Sequence, residues 1–116
     1  MSITFKKMFE PTQLGTSLAT IFGVDAALAA GSTFRGGRFR LVNTSANAVP
    51  VELDAVPLGG SAGVANQLFP TNKTVPANDY LDVDIPTLKP GDFVQGKAGT
   101  ASVITVHFMA GAYYSS

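Results

Sequence analysis

The chain contains no cysteine and no tryptophan. Without cysteine there is no disulfide, no thiolate nucleophile and no cysteine-based zinc site. Charge is also scarce: eight Lys and Arg balance eight Asp and Glu in 116 residues, for a formal net charge of zero. A neutral chain with 14% charged residues lacks the electrostatic footprint of a nucleic-acid binder. Histidine occurs once, at His107, so a histidine-based zinc site has no second ligand. No apolar run approaches the roughly 18 residues that a membrane span needs. A secretory leader is not expected either. Lys6 and Lys7 precede a partly apolar region, but Glu10, Pro11, Gln13 and Asp25 interrupt it before an apolar h-region forms. Nothing demands a helix longer than about two turns.

What is present is apolar and patterned in short runs. A hydrophobic content of 46% with so little charge predicts apolar surface reserved for a partner. The length fits one domain able to bury about two-thirds of its unfolded surface. The chain is organised around residues 41–63. Val49, Val51, Leu53 and Ala55 alternate with Glu52 and Asp54, the period of a strand with one wet face. An apolar run at residues 39–42 precedes it. Asn43, Thr44, Ser45 and Asn47 lie between and offer side-chain bonds that reverse the chain. The two runs read as a β-hairpin followed by a glycine-rich loop.

The same style recurs along the chain. Residues 3–9 read as an edge strand or extended arm, ended by Glu10 and Pro11. Residues 16–24 read as a strand, and residues 25–32 as one helical turn capped by Asp25 and stopped by Gly31. Residues 33–42 carry Phe39 and Leu41 inward and Arg38 and Arg40 outward, with a bulge at Gly36 and Gly37. Residues 80–85 put Leu81, Val83 and Ile85 inside and Asp82 and Asp84 outside. Lys89-Pro90-Gly91-Asp92 has the residues of a type II turn. Strands at residues 93–98 and 103–110 complete the series, and Tyr113 and Tyr114 fall in a tail. About eight short strands at roughly ten-residue spacing predict an all-β fold, a single antiparallel sandwich, jelly-roll-like. Residues 1–32 form its N-terminal arm and first strands, and residues 33–116 its body. The expected core is Phe39, Leu41, Val51, Leu53, Leu81, Val83, Ile85, Phe93, Val94, Ile104, Val106 and Phe108.

Catalytic chemistry finds little support in the residues. Gly59, Ser61 and Gly63 match G-x-S-x-G, and Asp79, Asp82, Asp84, Asp92 and then His107 follow in the order of a hydrolase triad. That elbow requires a strand, a tight turn and a helix within a parallel sheet, whereas here the glycines lie among antiparallel β signals. No catalytic residue and no cofactor is assigned, and the protein is expected not to be an enzyme. Asp79, Asp82 and Asp84 offer oxygens to calcium, but the strand spacing sets alternate carboxylates about 7 Å apart, as on any solvated strand face. No metal ligand is assigned. Arg35, Arg38 and Arg40, with Lys6 and Lys7, have no aromatic stacking partners of the kind that bind single strands, and are expected to make salt bridges across strands or to a subunit.

Longer motifs carry a resemblance. Residues 40–51, RLVNTSANAVPV, and residues 56–66, VPLGGSAGVAN, resemble small virion proteins of tailed bacteriophages. So do Pro76-Ala77-Asn78 before an alternating strand, the run from Lys89 through Val94, and residues 99–106, GTASVITV. The similarity spans roughly residues 39–108 and departs at Val24 and Asp25. It implies a small β-sandwich virion component. The expected role is a capsid decoration or cement protein that binds the outer capsid surface and stabilises contacts between major capsid subunits. The partners would be the major capsid protein or another virion protein and further copies of the chain, with no nucleic acid and no membrane. The alternative is a tail-fibre, tail-tip or receptor- or carbohydrate-binding module, although no tryptophan is present to stack on sugar rings.

The candidate partner interface is drawn from large or charged side chains near the chain ends and on one strand face. These are Ile3, Phe5, Lys6, Lys7, Met8, Phe9, Arg38, Arg40, Tyr113 and Tyr114. Apolar groups near chain ends persist when something ties them down. The competing expectation is that they pack on their own domain as first and last strands.

Overall fold

Alternation sets the architecture. In the strand Tyr80–Ile85, Val83 and Ile85 are buried while Asp82 and Asp84 stay in water. The computed structural model, which describes residues 2–70 and 73–115, repeats this pattern through nine strands. They are β1 (Ser2–Thr4), β2 (Thr12–Gln13), β3 (Ala19–Gly23), β4 (Thr33–Asn43), β5 (Val49–Val56), β6 (Thr74–Val75), β7 (Tyr80–Ile85), β8 (Phe93–Ala98) and β9 (Ile104–Ser115). Among the described residues the only helical piece is a 3-10 turn at Val64–Asn66.

One sheet runs β1-β9-β4-β7, with β2 also paired to β9; the other runs β3-β8-β5-β6. Every pairing is antiparallel. The pairs nest. β1 and β2 meet β9, β3 meets β8, β4 meets β7, and β5 meets β6. A long hairpin rolled over itself gives this order, which is a jelly roll. The all-β sandwich expected from the sequence is the architecture found. Its ninth strand arises because Pro11 and its neighbours separate β1 from β2. The first 32 residues supply strands to both sheets, β1 and β2 to one and β3 to the other.

Three local expectations are corrected. β4 and β5 are not a hairpin: they lie in different sheets, and residues 44–48 arch between them. Both strands bury one apolar face, and the two faces meet across the core instead of edge to edge. Tyr113 and Tyr114 do not lie in a tail. β9 continues to Ser115, and pairs Tyr113 with Thr4 and Phe34, and Tyr114 with Ile3 and Thr33. Residues 25–32 form turns, not a helix. Asp25 Oδ1 accepts the Ala27 N–H at 2.9 Å, and Ser32 N–H donates to the Ala29 carbonyl at 3.0 Å. So short a segment forms too few helical bonds to offset nucleation.

The core sits between the sheets. Phe39, Leu41, Val51, Leu53, Val83, Ile85, Val94, Ile104 and Val106 are buried as expected. Leu81 and Phe108 are partly buried against this core, and Phe93 is half-buried. Phe22 and Phe34 bind the sheets together, their ring centroids 4.9 Å apart, and Phe34 is fully buried. Such ring pairs contribute about 0.5–1.5 kcal/mol beyond the area they bury. Gly36 has φ +69°, and the β4–β9 register shifts between Arg35 and Arg38, so the expected bulge is present.

Candidate functional site

The chain ends meet. β1 forms one edge of its sheet, laid on the last residues of β9 in the register Ile3–Tyr114. No strand among the described residues pairs with the outer side of β1. Its residues are all exposed, Ile3 at 46%, and Phe5 just beyond is 76% exposed. The segment then turns inward. Met8 and Phe9 pack against the core, and the Phe9 ring lies 4.9 Å from Phe39 and 5.8 Å from Phe108. The apolar surface this arm offers to a partner is therefore Ile3 and Phe5.

Beside the arm lies a cleft of about 440 Å³, walled by Thr4, Lys6, Met8, Leu28, Tyr113 and Tyr114 among others. Four of the expected interface residues thus line one concavity. Two cations sit over its aromatic rim: Lys6 Nζ is 5.7 Å from the Tyr113 ring centroid, and the Arg35 guanidinium is 5.3 Å from that of Tyr114. Burial, with the Asp25 carboxylate as a lesser cause, holds the Tyr113 hydroxyl above the usual tyrosine range. The lining mixes apolar Met8, Phe22 and Leu28 with polar Thr4, Lys6, Asp25 and Ser32, a mixture found in protein–protein interfaces.

The remaining expected interface residues are engaged within the chain. Lys7 Nζ donates to Glu10 Oε2 at 2.7 Å. Arg38 and Arg40 stand on the outer face of the first sheet, further along β4, opposite Asp84 and Asp82. Arg38 Nε lies 3.1 Å from Asp84 Oδ1. Arg40 makes a forked contact with Asp82, at 2.7 and 3.0 Å, and stacks 4.2 Å over the Tyr80 ring. The Arg40 hydrogen bonds hold the Asp82 carboxyl below the usual carboxylate range. The cross-strand salt bridges expected of these arginines are present, and they occupy two of the carboxylates weighed for calcium. Asp79 Oδ1 accepts the Tyr80 N–H at 2.8 Å. Among the described residues, no three His, Asp or Glu side chains are gathered as a metal would require.

The residues of the G-x-S-x-G match stay apart. Ser61 follows β5 of the second sheet in an irregular loop, and His107 lies in β9 of the first, opposite Arg40. The sequence reading missed Leu28 at the cleft, and expected of Arg35 a salt bridge where the structure shows it over the Tyr114 ring. The strand expected at residues 33–42 contains Arg35, but only the extension of β9 to Ser115 brings Tyr114 beneath it. It also missed Asp54, which is buried on the face expected to be wet. The signal for this was Val56, an apolar residue continuing the face of Glu52 and Asp54. No helix among the described residues is long and apolar enough to cross a membrane. No family model, no curated protein and no solved structure matches the chain.

Proposed function

We propose that this chain is a structural component of a phage virion, a decoration or cement protein that binds the outer capsid surface and stabilises contacts between major capsid subunits. The observation that carries the reading is the exposed edge strand β1, with Ile3 and Phe5 in water beside a cleft of about 440 Å³. An unpaired strand edge can add a partner's strand through main-chain hydrogen bonds, and exposed apolar side chains give that pairing its affinity. Fully burying one such side chain contributes about 1.5–3 kcal/mol. The small jelly-roll body and its neutral charge fit a clamp between protein surfaces. In this reading the protein is not a catalyst, needs no cofactor, resides in the virion and binds further copies of itself.

The alternative, a receptor- or carbohydrate-binding module of the tail, draws on Tyr80. This residue is 52% exposed beside the polar pair of Arg40 and Asp82. Co-sedimentation with capsids that lack the protein separates the two. Under the cement reading the wild-type chain pellets with capsids, Phe5→Asp weakens this by at least about tenfold, and Tyr80→Ala leaves it unchanged. A tenfold loss corresponds to about 1.4 kcal/mol, the scale of one desolvated apolar side chain. Capsid binding that is absent, or insensitive to both Ile3→Asp and Phe5→Asp, rules this interface out.

A further inference from the structure

Among the described residues, Asp54 is the one charged side chain that is buried, with no measurable exposure. No hydrogen-bond donor reaches either of its carboxylate oxygens. It stands between Glu52 and Val56 on the outer face of β5. Gln95 of β8 is directly opposite on one side, and Gln67 is bridged to it on the other. The bridge exists because the chain leaves β5 at Val56, loops through the glycine-rich stretch, and returns alongside. There the Leu68 N–H donates to the Leu53 carbonyl at 2.9 Å. The return segment, together with β8, shuts Asp54 in at the end of its strand.

Two charged groups face this carboxyl. Glu52 lies two residues away on the same face of β5. Lys97, on β8 opposite Glu52, places Nζ 3.8 Å from Glu52 Oε1. Residues 57–70 contain no titratable side chain. A cleft of about 230 Å³, lined in part by Glu52 and Lys97, opens beside the pair.

We propose that Asp54 holds a proton while the return segment at residues 67–68 lies closed on β5, and that losing this proton loosens the segment. With the proton in place, Asp54 is neutral and no buried charge stands beside the Glu52 carboxylate. Without it, an ionised carboxylate is sealed from water beside a second carboxylate, which is unfavourable on both counts. Opening the return segment relieves this by admitting water. The latch is closed in mild acid and loosens as Asp54 ionises. Burial first, then the neighbouring Glu52 carboxyl, push Asp54 up to about 6, while Lys97 pulls the other way. In the open form Asp54 is hydrated and titrates in the ordinary carboxylate range. Closing therefore takes up a proton, and the closed form is lost as pH rises through about 6.

Amide hydrogen exchange on the full chain, corrected for the intrinsic pH dependence of exchange, tests this. Between about pH 5 and about pH 8, protection of the Leu68 amide should fall by about tenfold, the part of the loss that remains above pH 5 for a group moved from the ordinary carboxylate range to about 6. Protection of the Leu41 amide, central in its sheet, should not follow it. Asp54→Asn should remove the dependence at Leu68. Carbon-13 titration of the Asp54 carboxyl in the wild-type chain needs no variant, and should give a midpoint near 6 that moves down in Glu52→Gln. A midpoint in the ordinary carboxylate range overturns the latch. So does Leu68 protection that is equal at both pH values, or a pH step that persists in Asp54→Asn.

Discussion

Asn43 concentrates much of the fold in one side chain. It is buried where the chain crosses from the first sheet to the second. Its Nδ2 donates to the Asn47 carbonyl at 2.8 Å and the Val75 carbonyl at 3.0 Å, and lies 3.2 Å from that of Pro76. Its Oδ1 accepts the Ser45 N–H at 2.9 Å and the Ser45 hydroxyl at 2.8 Å. The arch and the β6–β7 turn are thus joined through one amide. Asn43→Ala strands these groups away from water and should lower stability by about 1–3 kcal/mol, the usual cost of an unsatisfied buried polar group. Asn43→Asp should cost more than the alanine, because it keeps the acceptor, loses both donors and buries a charge. Urea unfolding midpoints of the two variants check the order. That Asn43 helps turn the chain was legible from its side-chain chemistry. That it turns the chain from one sheet to the other was not, because two apolar faces look alike whether they meet side by side or across a core. Asp54 makes the complementary point. Alternation told correctly which face it lies on, but no local pattern announces that a distant segment returns to cover that face.

At the scale of elements, the N-terminal arm divides into two parts with different duties. Residues 2–5 are exposed and held by the short β1 pairing, whereas Phe9 enters the aromatic cluster 6.1 Å from Phe22 and 4.9 Å from Phe39. Phe9→Ala should therefore cost about 2–3 kcal/mol, less than the roughly 3–5 of a fully buried phenylalanine. Deleting residues 1–5 should cost less than about 1 kcal/mol, because residues 2–5 are exposed and their loss removes one short edge pairing and no core side chain. Equilibrium denaturation of the two proteins separates the duties; a truncated chain that unfolds would make β1 part of the fold. The sequence revealed an arm here but not its division, since the run of residues 3–9 alternates imperfectly and offers no period by which to assign faces. The β4–β9 crossing is similar. The Gly36–Gly37 bulge was legible, whereas its counterpart Gly111 was not. Gly111 has φ +137°, and a Cβ there would run into the Phe34 ring. Its necessity depends on a ring packed from another strand.

The whole molecule is a rolled hairpin, and its nesting has a kinetic consequence. In the natural chain the innermost pair, β5 with β6, is separated by residues 57–73, and each pair outside it spans more chain, until Ser2 meets Ser115. Closing such loops comes before the contacts that reward it, so this topology belongs among the slower folders. The adjacent ends make it possible to invert the nesting without changing the fold. Joining the ends by a short flexible linker and opening the chain at Ser61, in the exposed glycine-rich loop, gives a permutant whose first strand is β6 and whose last is β5. Its innermost pair is then β9 with β1, closed by a few residues, and the extensive β4–β9 ladder becomes closer in sequence. Chain ends that lie together and an opening in an exposed loop are the conditions under which permutation is tolerated. The permutant should reach the same structure and refold faster than the natural chain, with its unfolding rate little changed, because the native contacts are the same. Stopped-flow refolding and unfolding limbs measured on both proteins give the comparison. Refolding that is unchanged or slower would mean that the rate is set elsewhere than in the closing of the nested pairs.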